Sequence, residues 1–182
     1  MTGKKIAIIV PYRDRREQLD TFVPHMVEFF RNKDVEYEIF IVEQADDKPF
    51  NYGKLCNIGF SLLKDKFDYF CFHDIDMLPV SDDCDYNYIH IGGYPVHMAT
   101  KVSAHKFKLP YLEYFGGVVM FSKEDFENLK TDQDYATWFH ENGFTTSDDL
   151  TIYSIEDDQY NITVCDASNG CPVFAIEYGP EY

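Results

Sequence analysis

Between Ile6 and Asp76, three short apolar runs alternate with two stretches of helical periodicity, and this alternation limits the fold more than any other feature of the chain. Ile6-Ala7-Ile8-Ile9-Val10 is apolar at every position until Pro11 stops it, which marks a strand buried on both faces. From Arg16 to Asn32, apolar residues fall at Leu19, Phe22, Val23, Met26, Val27, Phe29 and Phe30, the spacing of one helix face, with a kink risk at Pro24. Glu38–Val42 reads as a second buried strand, Leu55, Ile58, Leu62 and Leu63 mark a second helix, and Tyr69–Phe72 reads as a third strand. The order β-α-β-α-β predicts an α/β protein with an open parallel sheet and helices on both faces. Ligands of such sheets bind beyond the carboxyl ends of the strands. That places the loops Pro11–Arg16, Glu43–Lys54 and His73–Pro79 at the site. No Gly-x-Gly-x-x-Gly follows the first strand, which disfavours a dinucleotide-binding domain.

The second half is less regular. Ser122-Lys123-Glu124-Asp125 has the form of a capped helix start, and Leu150–Ile155, Tyr160–Cys165 and Val173–Ile176 read as short strands. The expected organisation is a single domain over residues 1–182, in two halves at 1–80 and 81–182. A net charge of −16 would repel a polyphosphate backbone, so nucleic acid is not an expected partner. The sequence has no apolar run of membrane-spanning length and no signal peptide before the first strand, so the expectation is a cytoplasmic protein. The cysteines Cys56, Cys71, Cys84, Cys165 and Cys171 lack metal-type spacing and read as reduced thiols.

Asp74-Ile75-Asp76 is the sharpest chemical feature. Two carboxylates two residues apart, just past a buried strand, can face one cleft and hold a hard cation against a diphosphate. The same spacing at Asp83/Asp85 and Asp132/Asp134 falls on polar stretches, where solvated carboxylates explain it. Pro11-Tyr12-Arg13-Asp14-Arg15 closes the first strand, and its arginines can grip a uracil edge or phosphates, or simply pair with some of the 32 acidic residues. Phe50 precedes the second helix and can stack on a base or act as a core staple.

These segments resemble the beta-1,4-galactosyltransferase family and related glycosyltransferases of the GT-A type. The resemblance is carried, in order, by Ile8-Ile-Val-Pro-Tyr-Arg-Asp-Arg15, Phe50-Asn-Tyr-Gly-Lys-Leu-Cys-Asn-Ile-Gly-Phe60, Phe70-Cys-Phe-His-Asp-Ile-Asp-Met-Leu-Pro79 and Leu109-Pro-Tyr-Leu-Glu-Tyr-Phe-Gly-Gly-Val118, leading into Phe121-Ser-Lys123. It implies a GT-A (Rossmann-like) open, mostly parallel sheet with an irregular C-terminal part. It further implies a metal-dependent inverting transfer from a UDP-sugar donor to a carbohydrate hydroxyl, with Mn2+ as the cation. Carried over by position, Pro11, Arg13, Arg15, Phe50, Asp74 and Ile75 would hold the donor. Asp76, with Asp74, would hold the metal, and Tyr114, Phe115, Gly116, Gly117 and Trp138 would line the sugar and acceptor side.

The sequence departs from the family where the catalytic acid segment is expected. Tyr135-Ala-Thr-Trp138-Phe-His-Glu141-Asn142 keeps the Tyr, one Trp and the Glu but puts Asn142 where an acid belongs. Asp148 and Asp149, followed by Leu150, look like that acidic helix start after an insertion, and Asp149 is the expected catalytic base with Asp148 beside it. A plain helix cap is the competing reading of those two residues, and Glu156-Asp157-Asp158 is a further candidate. No histidine follows His140 to complete the metal shell. The alternatives are a member that binds nucleotide-sugar without turnover, or a nucleotidyltransferase of similar topology.

Overall fold

The computed structural model describes residues 4–45, 47–87, 95–109, 111 and 115–131, together with the backbone of two further strands at 160–165 and 175–178. The chain forms β1 (Lys5–Tyr12), α1 (Arg16–Phe30), β2 (Glu36–Gln44), α2 (Tyr52–Leu63), β3 (Tyr69–His73), β4 (Val96–His97), β5 (Val118–Ser122), α3 (Lys123–Thr131), β6 (Tyr160–Cys165) and β7 (Ala175–Tyr178). They build one seven-stranded sheet in the order β4-β5-β3-β1-β2-β6-β7.

β1 lies at the centre and runs parallel to both neighbours, Ile8 pairing with Ile39 of β2 and with Cys71 of β3. The two-residue period of β1 divides the core into two layers. Ile6, Ile8 and Val10 pack with Phe22, Val23, Met26 and Phe30 of α1. Ala7 and Ile9 point the other way, against Leu55, Ile58 and Phe60 of α2 and Phe126 of α3. Helices therefore cover both faces, as the alternating pattern predicts. α1 runs through Pro24, which is exposed, and continues to Phe30.

Beyond the central three strands the sheet is mixed. β5 runs antiparallel to β3, β4 antiparallel to β5, β6 antiparallel to β2, and β7 antiparallel to β6. The parallel part is thus confined to the β-α-β-α-β unit, whose crossover helices impose that direction. Strand direction at the edges is not encoded in the apolar pattern of a single strand, and the expected parallel sheet is found at the centre, with antiparallel strands added on both sides. Leu150–Ile155 lies outside the described residues, and the strand expected at Val173–Ile176 spans Ala175–Tyr178.

Two local devices fix the helices that border the site. Asn51 caps α2, its side-chain oxygen accepting from Lys54 N at 3.0 Å. Ser122 and Asp125 form the expected capping box at α3, with Asp125 N donating to Ser122 Oγ and Ser122 N to Asp125 Oδ2, both at 3.0 Å. Among the described residues, no helix is long and apolar enough to cross a membrane. Cys56, Cys71 and Cys84 carry free thiols.

Candidate active site

The parallel strands β1, β2 and β3 end on the same edge of the sheet, and their exits build a cleft of about 390 Å³ there. Pro11, Arg13, Arg15, Phe50, Asp74 and Ile75 all line it, with Asp76 and Tyr52 completing the wall. After β1, Asp14 adopts a left-handed backbone conformation (φ 52°), one that aspartate tolerates better than most residues. The bend separates Arg13 from Arg15. Arg13 lies over the Phe50 ring at 5.5 Å and donates to the Lys48 carbonyl. Arg15 donates to Asp76 Oδ2 at 3.0 Å, an ion pair in which both side chains remain about half exposed.

Phe50 is 43% exposed, so its ring belongs to the cleft and not to the core. The loop that carries it is organised by Gln44, the last residue of β2 and itself buried. Gln44 Nε2 donates to the carbonyls of Lys48 (3.2 Å) and Pro49 (3.1 Å), and its Oε1 accepts from Asn51 N at 2.8 Å. The sequence reading missed Gln44. Its signal was weak: one polar residue at the end of a buried strand.

Asp74 and Asp76 stand on a tight turn in which Met77 N donates to the Asp74 carbonyl at 3.2 Å. Asp74 N donates to Gly117 O at 2.7 Å. The Asp74 carboxylate accepts from the Tyr52 hydroxyl, a second partner that sequence reasoning missed. Burial lifts Asp74 to about 6, and the negative charge of Asp76 adds to the rise, while Tyr52 and Arg15 oppose it. Burial also pushes the Tyr52 phenol well above its ordinary value, reinforced by Cys56 and Asp74. Tyr52 is therefore a neutral donor at physiological pH. The pair of carboxylates on this turn is held close enough for one to hinder ionisation of the other.

The sugar-side candidates come to the same edge because β5 is antiparallel to β3. His73 pairs with Val118, so the residues leading into β5 meet the turn that follows β3. Gly117 has φ 76°, a conformation that a side chain would strain, and its carbonyl is the one that holds Asp74. Gly116 O accepts from His97 Nε2 at 2.9 Å, and the Phe115 ring lies 5.4 Å from the His97 ring. Phe115, Gly116 and Gly117 are thus brought to the Asp74 turn. Tyr114, Trp138, Asp148 and Asp149 lie outside the described residues, as do Asn142 and the Glu156–Asp158 acids. Of the other carboxylate pairs, Asp83 and Asp85 sit in local turns, Asp83 N donating to Ser81 Oγ at 3.2 Å and Asp85 Oδ1 accepting from Asn87 N at 2.8 Å. Asp132/Asp134 lies outside the described residues.

A mixed sheet whose central parallel strands end in an arginine pair, an exposed aromatic and a two-carboxylate turn defines an open α/β domain with its ligand cleft at the carboxyl ends of those strands. Comparison with known proteins narrows this. Residues 1–88 match the model for the N-terminal region of glycosyl transferase group 7, and residues 96–141 match that for the N-terminal domain of galactosyltransferase. The chain belongs to the beta-1,4-galactosyltransferase family. It is 34% identical to beta-1,4-galactosyltransferase 7 of Drosophila melanogaster over 90% of this chain and 45% of that protein. It is 40% identical to a beta-N-acetyl-D-glucosaminide beta-1,4-N-acetylglucosaminyl-transferase of Lymnaea stagnalis over 68% of this chain and 25% of that one. The chain thus spans less than half the length of either relative. The crystal structure of the catalytic domain of the Drosophila enzyme in complex with xylobiose superposes with a TM-score of 0.65 at 30% identity, over 86% of this chain and 69% of that one. A mutant of the same enzyme, in complex with manganese, UDP-Gal and xylobiose, superposes equally well at a TM-score of 0.65.

Proposed function

We propose that this chain performs a metal-dependent, inverting transfer of a sugar from a UDP-sugar to a carbohydrate hydroxyl. One observation carries the reading: Arg13 and Arg15 from the end of β1, and Asp74 and Asp76 from the end of β3, face a single cleft that Phe50 borders. Phe50 offers an exposed ring face to a base. The guanidinium groups offer donors to uracil or phosphate oxygens once a ligand displaces their present partners.

Asp74 and Asp76 fit a hard divalent cation. Asp76 is half exposed on the cleft, and Asp74 is raised in part by its neighbour's charge, a repulsion that a cation between them would relieve. Among the described residues they are not part of any cluster of three or more potential metal ligands. The rest of the shell would come from elsewhere in the chain, from donor phosphates or from water. When bound, a cation such as Mn2+ neutralises charge on the diphosphate leaving group. Arg15, now paired with Asp76, would turn to the donor as the cation takes that carboxylate. Asp149, with Asp148 beside it, is our candidate for the base that takes the proton from the acceptor hydroxyl.

The names of the similar proteins favour UDP-galactose as donor, with UDP-N-acetylglucosamine as the second to test, and a xylose-containing saccharide as acceptor. The experiment is UDP release with Mn2+, measured with and without acceptor for each donor. Acceptor-dependent release supports transfer. Binding without acceptor-dependent release supports the non-catalytic alternative, which Asn142 motivates. If Asp149 is the base, Asp149→Asn lowers the rate by about two to four decades with little change in UDP binding.

A further inference from the structure

His73 ends β3, immediately before Asp74, and is fully buried. Phe22 of α1 meets its ring edge-on at a centroid distance of 5.1 Å, and the Tyr86 ring lies nearly parallel to it at 6.1 Å. Both ring nitrogens are engaged. Nδ1 is 2.9 Å from the Asp74 carbonyl oxygen, and Nε2 is 2.9 Å from the Tyr86 hydroxyl. A carbonyl oxygen only accepts, so the proton sits on Nδ1, and in the neutral ring Nε2 accepts from Tyr86. The pair fixes one tautomer and aims one donor at one backbone oxygen.

That oxygen also closes the turn, since it accepts from Met77 N, while the N–H of the same residue is held by Gly117 O. Asp74 is therefore fixed at both of its backbone polar groups. Tyr86 is anchored in turn. It is 3% exposed and packs edge-on against Phe29 and Phe30 of α1, and the loop leading to it is tied to that helix where His25 Nε2 meets Pro79 O at 2.7 Å. An apolar pair would fill the same space without burying two polar groups. What the polar pair adds is direction.

We propose that His73 and Tyr86 are a positioning pair for the Asp74–Asp76 turn: the Tyr86 hydroxyl holds the imidazole, and the imidazole holds the Asp74 carbonyl, so that the two carboxylates meet the cation and diphosphate at a set spacing. This rests on the reading of that turn as the cation and nucleotide site. Neither residue lines the cleft, so both act through Asp74 and not on the substrate.

The test uses the full chain as wild type, His73→Leu, His73→Asn and Tyr86→Phe. Binding of Mn2+ in the presence of UDP is followed by the electron paramagnetic resonance signal of the free ion, alongside thermal unfolding and the kcat and KM of transfer. His73→Leu weakens Mn2+ binding about tenfold, at the low end for groups that orient a metal ligand, and Tyr86→Phe does so by about threefold. His73→Asn restores part of the loss, because its amide N–H reaches where Nδ1 reached. KM for the UDP-sugar rises with the loss of metal affinity, more than kcat falls. Mn2+ affinity unchanged in His73→Leu overturns the proposal, as does a loss that tracks unfolding equally in the Leu and Asn variants. If His73→Leu does not fold, Tyr86→Phe decides alone, and unchanged binding there overturns it. A wild type that binds neither Mn2+ nor UDP sinks the site reading and this inference together. A wild type that binds, with variants that bind equally well, sinks the inference alone.

Discussion

Asp74 and His73 are consecutive residues whose protonation pulls stability in opposite directions. Burial and the charge of Asp76 lift Asp74 from an ordinary 3.8 to about 6, so folding favours the protonated carboxyl. Its contribution is present in full below about pH 3.8 and is lost as pH rises through about 6. Burial lowers His73 from 6.5 to about 4, so its contribution is present above about pH 6.5 and is lost as pH falls toward 4. The two slopes offset each other in the wild type. Asp74→Asn removes one of them and keeps an acceptor for Tyr52. Without divalent cations, that variant should be more stable than wild type at neutral pH by about 1 kcal/mol, the figure being reduced for the water that reaches the cleft. The gain should vanish near pH 4, leaving the histidine slope exposed. Thermal unfolding across pH in a chelator measures this, and an Asp74→Asn protein less stable than wild type at neutral pH would contradict it. Arg15 gives the converse case. Its ion pair with Asp76 is half exposed at both ends, and such pairs contribute under about 1 kcal/mol. Arg15→Gln should therefore leave the unfolding midpoint almost unchanged while weakening UDP binding in the presence of Mn2+ by about tenfold, the loss of one charge-assisted contact. Isothermal titration calorimetry separates the two effects.

At the level of elements, the site depends on how closely α2 approaches the sheet, because α2 carries Tyr52 at its start and follows Phe50. Gly59 sets that approach. A Cβ there would meet Ile9 Cγ2 at 2.7 Å and Val42 Cγ2 at 3.2 Å, and both neighbours are fully buried. Alanine gains about 1 kcal/mol in helix propensity over glycine, but overpacking a filled core costs about 1–3 kcal/mol. Gly59→Ala should lose about 1 kcal/mol net in a denaturant titration. A gain in stability would show that helix and sheet can separate freely at this point. Much of this level was legible in the sequence. Ile6–Val10, Glu38–Val42 and Tyr69–Phe72 announce buried strands because their apolar runs face a helix on each side, and Phe22, Met26 and Phe30 recur at helical spacing. The antiparallel direction of β5 was not legible, although it is what brings Gly116 and Gly117 beside Asp74. Periodicity reports which face of a strand is buried, not which way the strand runs. Arg13, Arg15, Phe50, Asp74 and Asp76 were legible as cleft residues because each stands just past a strand or before a helix, and all five line the cleft. Tyr52, His73, Tyr86 and Gln44 were not legible in their roles: Asp74 lies far from Tyr52 in sequence and Tyr86 across the turn from His73, while Gln44 bonds nearby backbone that a single polar residue does not announce.

For the whole molecule, the deciding quantity is charge. A net charge of −16 opposes the approach of a nucleoside diphosphate, and the two arginines at the cleft are already engaged, one on Asp76 and one on Phe50 and Lys48. Neither nucleotide nor cation alone should bind well. The cation alone meets Arg15 on its carboxylate, and the nucleotide alone meets two carboxylates on the turn. Together each removes the other's obstacle, since the cation takes Asp76 and frees Arg15 for the nucleotide. The expected signature is a strongly non-additive thermal shift. UDP or Mn2+ alone should move the unfolding midpoint little, whereas the two together, at about a hundredfold excess over their joint dissociation constant, should raise it by about 5–10 °C. Asp76→Asn should abolish the joint shift and the small Mn2+ one, while UDP alone binds no worse, because Arg15 is freed and one carboxylate is gone. Additive shifts would contradict this coupling between the arginines and the carboxylate turn. A nucleoside triphosphate that stabilises the protein more than UDP-galactose, with the same metal dependence, would instead favour nucleotidyl transfer.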